Sequence, residues 1–343
     1  MIPHTKEQLV EQLMGWIDID SVTPNEGAYL EAIEALLEER GYTCSRQPIA
    51  QGRWNLLATR RPNPKVLLST HVDTVPPFFG ARRDGDTVYG RGACDTKGGL
   101  VAMIEAAWRC ADEPWGDEVG FLLVVGEEVD HVGAKHAPAL GLRPERIILC
   151  EPTVNRVVSA QKGMIKLKVC AHGKAAHSAY PERGDSALHR SIDALHELLH
   201  AQWPEDEQLG PTTLNVGMLH GGVAHNVFAP EAQGSVLMRT VRPTSAYVEH
   251  IKRTATAYKV ELPIEVENDP VFFQPPPGEH TCTVAFNTDA TYLEPIAPIW
   301  LVGPGDIEVA HTDHEHITAQ QLMEGVELYG RLIRLVLQRG QED

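Results

Sequence analysis

The sequence predicts an α/β fold interrupted by a second, α+β module, and three observations carry that expectation. Continuous apolar runs at Val66-Leu67-Leu68, at residues 121–125 and at 147–150 have the length and composition of strands buried on both faces of a sheet. Helical periodicities alternate with them, the pattern of a layered α/β sandwich. From about Lys162 to Asn268 the alternation gives way to a self-contained module. At 343 residues the chain is long enough for two domains.

Taken in order, Leu9, Leu13, Met14 and Ile17 recur at helical spacing over residues 5–19. Ser21-Val22-Thr23-Pro24-Asn25-Glu26 ends that helix and caps a second over 27–39, which Gly41 stops. Strands are expected over 42–46 and 55–59, then at Val66-Leu67-Leu68 beyond the turn at 62–64. That third strand delivers His71 and Asp73. Residues two apart on an extended backbone point the same way, so one can bind a metal while the other orients it.

Tyr89-Gly90-Arg91-Gly92-Ala93-Cys94-Asp95-Thr96-Lys97-Gly98-Gly99 then sets one carboxylate, Asp95, in a glycine-rich turn before an apolar helix over 100–108. The turn is no phosphate loop. It lacks the G-x-x-x-x-G-K-[ST] order, and Cys94 and Asp95 stand where a dinucleotide fingerprint needs its third glycine.

The run at 121–125 ends at Gly126-Glu127-Glu128, and the run at 147–150 ends at Glu151-Pro152. Adjacent buried carboxylates raise at least one pKa unless a cation is present, whereas solvated loop acids capping the next helix carry no such cost. In open α/β sheets, sites assemble at the carboxyl ends of strands. A last strand over 299–302 leads through Gly303-Pro304-Gly305 to His311-Thr312-Asp313-His314-Glu315-His316, which reads equally as a polar loop or as ligands. A helix over 319–337 closes the chain.

Within the inserted module the expected order is strand 164–171, helix 185–200, strand 213–218, a Gly221-Gly222 turn, strand 231–239, helix 245–258 and strand 263–267. The expected domains are therefore 1–161 with 269–343, and 162–268.

Thirty Lys and Arg against 47 Asp and Glu give a net charge of −17, which disfavours nucleic acid and anionic membrane as partners. No 18-residue apolar run is present, and Met1-Ile2-Pro3-His4-Thr5-Lys6-Glu7 has no signal-peptide core, so a cytoplasmic protein is expected. Six cysteines without a C-x-x-C pair read as free thiols.

Five segments in order, Ser69-Thr70-His71-Val72-Asp73-Thr74-Val75-Pro76, Tyr89-Gly90-Arg91-Gly92 with Asp95-Thr96-Lys97-Gly98-Gly99, Gly126-Glu127-Glu128, Glu151-Pro152, and Gly303-Pro304-Gly305-Asp306 leading to His311-Thr312, resemble the M20 family of co-catalytic metallopeptidases and deacylases. That family includes acetylornithine deacetylase, succinyl-diaminopimelate desuccinylase, aminoacylases and glutamate carboxypeptidases. The resemblance covers nearly the whole chain. It implies a mixed-sheet α/β/α zinc-hydrolase domain, an inserted ferredoxin-like lid and dimerisation domain, and a homodimer.

By position, the resemblance makes Asp95 the bridge between two zinc ions, with cobalt or manganese as substitutes. His71 and Glu151 complete one site, Glu128 and His311 the other. An imidazole with oxygen ligands at each ion suits zinc. Glu127 resembles the general base, Asp73 the partner that holds the His71 ring, and the Asp95–Thr96 peptide is implied to be cis. In Gly173-Lys174-Ala175-Ala176-His177-Ser178, His177 resembles the histidine that reaches across a dimer to stabilise an oxyanion. Asn226 and Arg239 resemble positions that bind the substrate carbonyl and carboxylate, the latter suited to a guanidinium's paired donors.

Two departures bear on substrate. The family commonly continues His-Thr-Pro-Asp-Glu-Tyr, whereas Asp313-His314-Glu315-His316 follows here, and the segment 77–89 lacks elements of the desuccinylase-like members. The loops look more like those of acetylornithine and lysine-pathway deacylases. The expected reaction is removal of an acyl group, acetyl in the simplest case, from a small N-acyl amino acid such as N-acetylornithine. A dipeptidase or carboxypeptidase using the same centre is the alternative, and a non-catalytic metal-binding protein is the alternative of another class, which would need the ligands but not Glu127.

Overall fold

The computed structural model describes residues 3–339; Met1, Ile2 and residues 340–343, which belong to the readings of the two chain ends, lie outside the described residues. The chain forms two compact units. One runs to Ser159 and takes in Phe273–Cys282 and the chain from Thr288 onward; the other comprises Ala160–Phe272 and Thr283–Asn287.

The first unit is built on a six-stranded sheet in the order Thr43–Ala50, Arg53–Thr59, Val119–Val124, Val66–His71, Arg146–Leu149, Ile299–Leu301. The first three strands pair antiparallel, and the last four run parallel to one another, so the sheet is mixed. Val66–His71 and Val119–Val124 are buried at every residue, as their unbroken apolar character requires of a sheet covered on both faces. The edge strand Thr43–Ala50 has no fully buried residue.

Helix Lys6–Ile17 starts with a capping box between Thr5 and Gln8 and buries Leu9, Val10, Leu13, Trp16 and Ile17 on one face. Helix Gly98–Arg109 is buried over its first ten residues and packs on the closing helix Ala319–Arg339. Its two leading glycines are required by close approach. A Cβ on Gly98 would lie 2.4 Å from the Ala93 carbonyl, and one on Gly99 would lie 2.0 Å from Cys150 Sγ.

A three-stranded sheet of Arg82–Asp84, Thr87–Tyr89 and His316–Thr318 has no counterpart in the sequence reading. Each strand is three residues long, too short to show a period of two. Its register sets Tyr89 opposite His316, which brings the glycine-rich turn beside the histidine tract from the far end of the chain.

In the second unit a four-stranded antiparallel sheet runs Thr213–Gly221, Glu231–Thr240, Gly163–His172, Ile264–Asn268. Ile165, Leu167, Val169 and Ala171 are buried, while Lys166, Lys168 and His172 between and beyond them are exposed. Helices Ala187–His200 and Ser245–Tyr258 pack on each other and contribute Leu195, Leu198, Tyr247 and Ile251 to this unit's core. The first begins two residues later than periodicity suggests, because Ser186 caps it by accepting the His189 N–H at 3.3 Å.

Candidate metal centre

Three adjacent parallel strands end at one edge of the first unit's sheet. The register aligns His71 with Val124 and Ser69 with Leu149, so His71, the Gly126-Glu127-Glu128 turn and Glu151 all emerge there. Asp73 ties two of these ends together. Its Oδ1 accepts the N–H groups of Gly126 at 2.9 Å and Glu127 at 3.1 Å, and its Oδ2 accepts the Glu128 N–H at 3.2 Å and the Thr23 hydroxyl at 2.7 Å. Burial acts to raise the Asp73 carboxyl, but His71, Thr23 and the Glu127 N–H together hold it below the usual range. The His71 ring is held by residue 73 mainly through its backbone: Nδ1 lies 3.0 Å from the Asp73 carbonyl oxygen and 3.6 Å from its Oδ1.

Asp95 stands between two imidazoles. Nε2 of His71 lies 3.0 Å from its Oδ1, and Nε2 of His311 lies 3.3 Å from its Oδ2. His311 also reaches Glu128 Oε2 at 3.0 Å. Burial would raise the Asp95 carboxyl, yet the two histidines hold it well below the carboxylate range, and Asp95 with Glu128 in turn pushes His311 up to about 10. Burial pushes Glu127 up to about 8 and raises Glu128 and Glu151 as well. The backbone of His311 is left-handed, with φ 62°, a conformation that costs energy in a non-glycine residue. The Asp95–Thr96 peptide is cis.

The donor set fits divalent cations. Asp95 has one oxygen toward each imidazole, the arrangement of a carboxylate shared by two ions. Glu128 stands with His311, and Glu151 is buried at 4% exposure with an Oε1 that has no hydrogen-bond partner among the described residues. A desolvated carboxylate oxygen with nothing bound to it is costly unless a cation takes it.

Four supporting residues escaped the sequence reading. Glu315 accepts the N–H groups of Cys94 at 3.3 Å and Asp95 at 3.2 Å through Oε1, and receives Arg91 Nη1 on Oε2 at 2.6 Å. Arg91 and Glu315 are 224 positions apart, and both side chains are almost wholly buried. The available signal was the glutamate common to this chain's tract and the family's His-Thr-Pro-Asp-Glu-Tyr. His131 and Asp289 form a group with Glu127, their facing atoms all within 4.8 Å; they carry no such signal.

With this geometry in place, the affiliation follows from comparison. The model of peptidase family M20/M25/M40 matches residues 67–335. The chain belongs to the M20 peptidase family. It is a metal-dependent hydrolase of amide bonds, as the motifs' resemblance implied. A peptidase M20 domain-containing protein of Schizosaccharomyces pombe is 33% identical over 338 residues, covering 95% of this chain and 84% of that one. A carboxypeptidase-named protein of Aspergillus clavatus is 33% identical over 367 residues, covering 94% and 81%. The fold is shared with a tripeptidase from Staphylococcus aureus at TM-score 0.81 and 22% identity, covering 97% and 98% of the two chains. It is shared too with an M20 metallo-carboxypeptidase from Sulfolobus solfataricus at TM-score 0.77 and 15% identity, covering 96% and 99%.

The remaining expected site residues of this M20 peptidase lie in the second unit. His177 is exposed, and its Nδ1 accepts the Ala179 N–H at 3.1 Å. Asn226 is exposed, and its backbone carbonyl accepts the Ser178 N–H at 2.9 Å, so the two motif segments are joined. Arg239 is half-buried on strand Glu231–Thr240, with Nη1 3.8 Å from Met164 Sδ. No helix among the described residues is long and apolar enough to cross a membrane.

Proposed function

We propose that the chain hydrolyses the amide bond of a small substrate whose released amine carries a free α-carboxylate, a short peptide in the first instance. The observation that carries the reading is Asp95 facing one imidazole on each oxygen with Glu128 beside it. His71, Asp95 and Glu151 would hold one zinc ion, and Asp95, Glu128 and His311 the other. Bound there, the ions supply Lewis-acid polarisation of a carbonyl oxygen and acidify water.

Glu127 takes the proton of the attacking water and returns it to the leaving amine nitrogen. Asp73 keeps the turn of Glu127 and Glu128 in register with His71. Arg239 pairs with the substrate carboxylate, and His177 and Asn226 donate to the developing oxyanion, each worth about 10²–10³ in kcat by analogy with other donors. Those three roles rest on the motif resemblance. The reading includes a homodimer, supported by exposed Met218 on the edge strand Thr213–Gly221 and exposed Ile192 and Leu199 on the neighbouring helix. It also includes a cytoplasmic location, supported by six free cysteines.

The carboxypeptidase and peptidase names of the relatives favour a peptide; the loop likeness alone favours an N-acetyl amino acid. Both share the acyl–NH–CHR–carboxylate unit. The test is amine release by zinc-loaded protein from a panel of dipeptides, tripeptides, N-acetylornithine and other N-acetyl amino acids, with Glu127→Gln alongside and metal content measured on both. Cleavage of peptides, lost in the variant while two ions remain bound, is the expected result. Cleavage confined to N-acetyl substrates would move the assignment to deacetylase, and full activity of Glu127→Gln would refute the proton-transfer role.

A further inference from the structure

Beside Glu127 stands a pair of side chains that the chemistry above does not use. His131 and Asp289 are 7% and 1% exposed and come together from 158 positions apart. Nδ1 of His131 lies 2.9 Å from Asp289 Oδ1 and 3.6 Å from Glu127 Oε1, so one ring nitrogen faces both carboxylates. The ring is braced by Tyr292, with centroids 5.2 Å apart. The turn that carries Glu127 closes on this histidine, whose backbone N–H donates to the Gly126 carbonyl at 2.8 Å.

Two features make His131 more than packing. Its backbone is left-handed, with φ 57°, where glycine or asparagine would be the cheaper residue. A histidine kept at that cost needs a reason in its side chain. Secondly, no hydrogen bond among the described residues fixes the Glu127 carboxylate, although a group that moves a proton between two atoms must be held in one orientation. The nearby imidazole, itself anchored by Asp289, has its Nδ1 within ion-pair reach of Glu127 Oε1 at 3.6 Å, a charge contact rather than a hydrogen bond.

We propose that His131, oriented by Asp289, is the positioning residue for the Glu127 carboxylate. The inference rests on the reading of Glu127 as proton carrier. In it Nδ1–H is donated to Asp289 and faces Glu127, leaving that carboxylate aimed at the reacting atoms. No proton leaves His131 in the cycle.

His131→Gly tests this cleanly, because glycine relieves the left-handed backbone while deleting the imidazole. His131→Asn also suits that backbone and sets an amide nitrogen near the place of Nδ1. With the fastest-cleaved member of the substrate panel, kcat of the glycine variant should fall about 10- to 100-fold, the usual cost of losing a residue that orients a reacting group. KM should stay within about twofold and two ions per chain should remain, with the asparagine variant regaining at least about threefold in kcat over glycine. Glycine-variant kcat within about threefold of the parent would overturn the proposal, as would a matching loss in the asparagine variant or a fall in bound metal. A third ion in the parent, lost in His131→Gly, would overturn it by making the group a cation site. If Glu127→Gln keeps its activity, or the parent cleaves no panel member, the underlying reading fails and this inference with it; an inactive Glu127→Gln beside a fully active His131→Gly sinks this inference alone.

Discussion

Replacing Glu315 with Gln should destabilise the first unit by about 3–5 kcal/mol, the cost of leaving one partner of a buried ion pair uncompensated. The side chains of Arg91 and Glu315 are 2% and 1% exposed and meet at 2.6 Å, so solvent offers the stranded guanidinium nothing in return. Burial outweighs Arg91 in setting the Glu315 carboxyl, which is raised, so the intact pair is no large source of net stability. The cost lies in breaking it. Glutamine still accepts the Cys94 and Asp95 N–H groups but turns an amide toward Arg91, isolating the charge effect from the loss of backbone partners. The assay is urea unfolding of parent, Glu315→Gln, Arg91→Met and the double variant, followed by a probe in the first unit. The double variant should be less destabilised than the sum of the singles by at least about 2 kcal/mol, because it removes both charges together. A single-variant effect below about 1 kcal/mol, or additivity within about 0.5 kcal/mol, would refute the reasoning.

Three further outcomes follow from packing and chemistry. Gly99→Ala should cost about 1–3 kcal/mol in thermal unfolding through overpacking, and Cys150→Ala in the same chain should recover part of it, since Cys150 Sγ is the atom struck. Chelation should lower the melting temperature, and zinc restored at about 100 times its Kd should return about 2.7 kcal/mol; a melt indifferent to chelator would count against the paired site. Burial pushes the Cys44 and Cys150 thiols up to about 12. At pH 8 only about 10⁻⁴ of either is thiolate, against about a quarter of an ordinary thiol, so iodoacetamide should spare both until the chain is unfolded in urea.

The strands that reach the centre were legible because each ends an unbroken apolar run. Val66-Leu67-Leu68 announces His71, residues 121–125 announce Glu127 and Glu128, and residues 147–150 announce Glu151. Asp95 was legible for a different reason, the density of glycine around it. Hidden were the groups that support these residues from far away in the chain. Arg91 with Glu315 and His131 with Asp289 meet only once the sheet has formed, and neither pair leaves a period or a turn signal. The three-residue strands that bring Tyr89 to His316 are shorter than any alternation can reveal. Asp73 falls between the two cases: its place near His71 was readable, whereas the three N–H groups it gathers belong to a strand end more than 50 residues on.

The mixed sheet also has two terminal strands, and an unpaired strand edge is an invitation to polymerise. On one side Thr43–Ala50 blunts the invitation with Arg46, with Pro48, which offers no N–H, and with a register shift between Pro48 and Ala50. On the other, Ile299–Leu301 is only three residues long, too short a template for a foreign strand. The apolar strands that deliver the site are thus kept in the middle, where a partly unfolded neighbour cannot add to them.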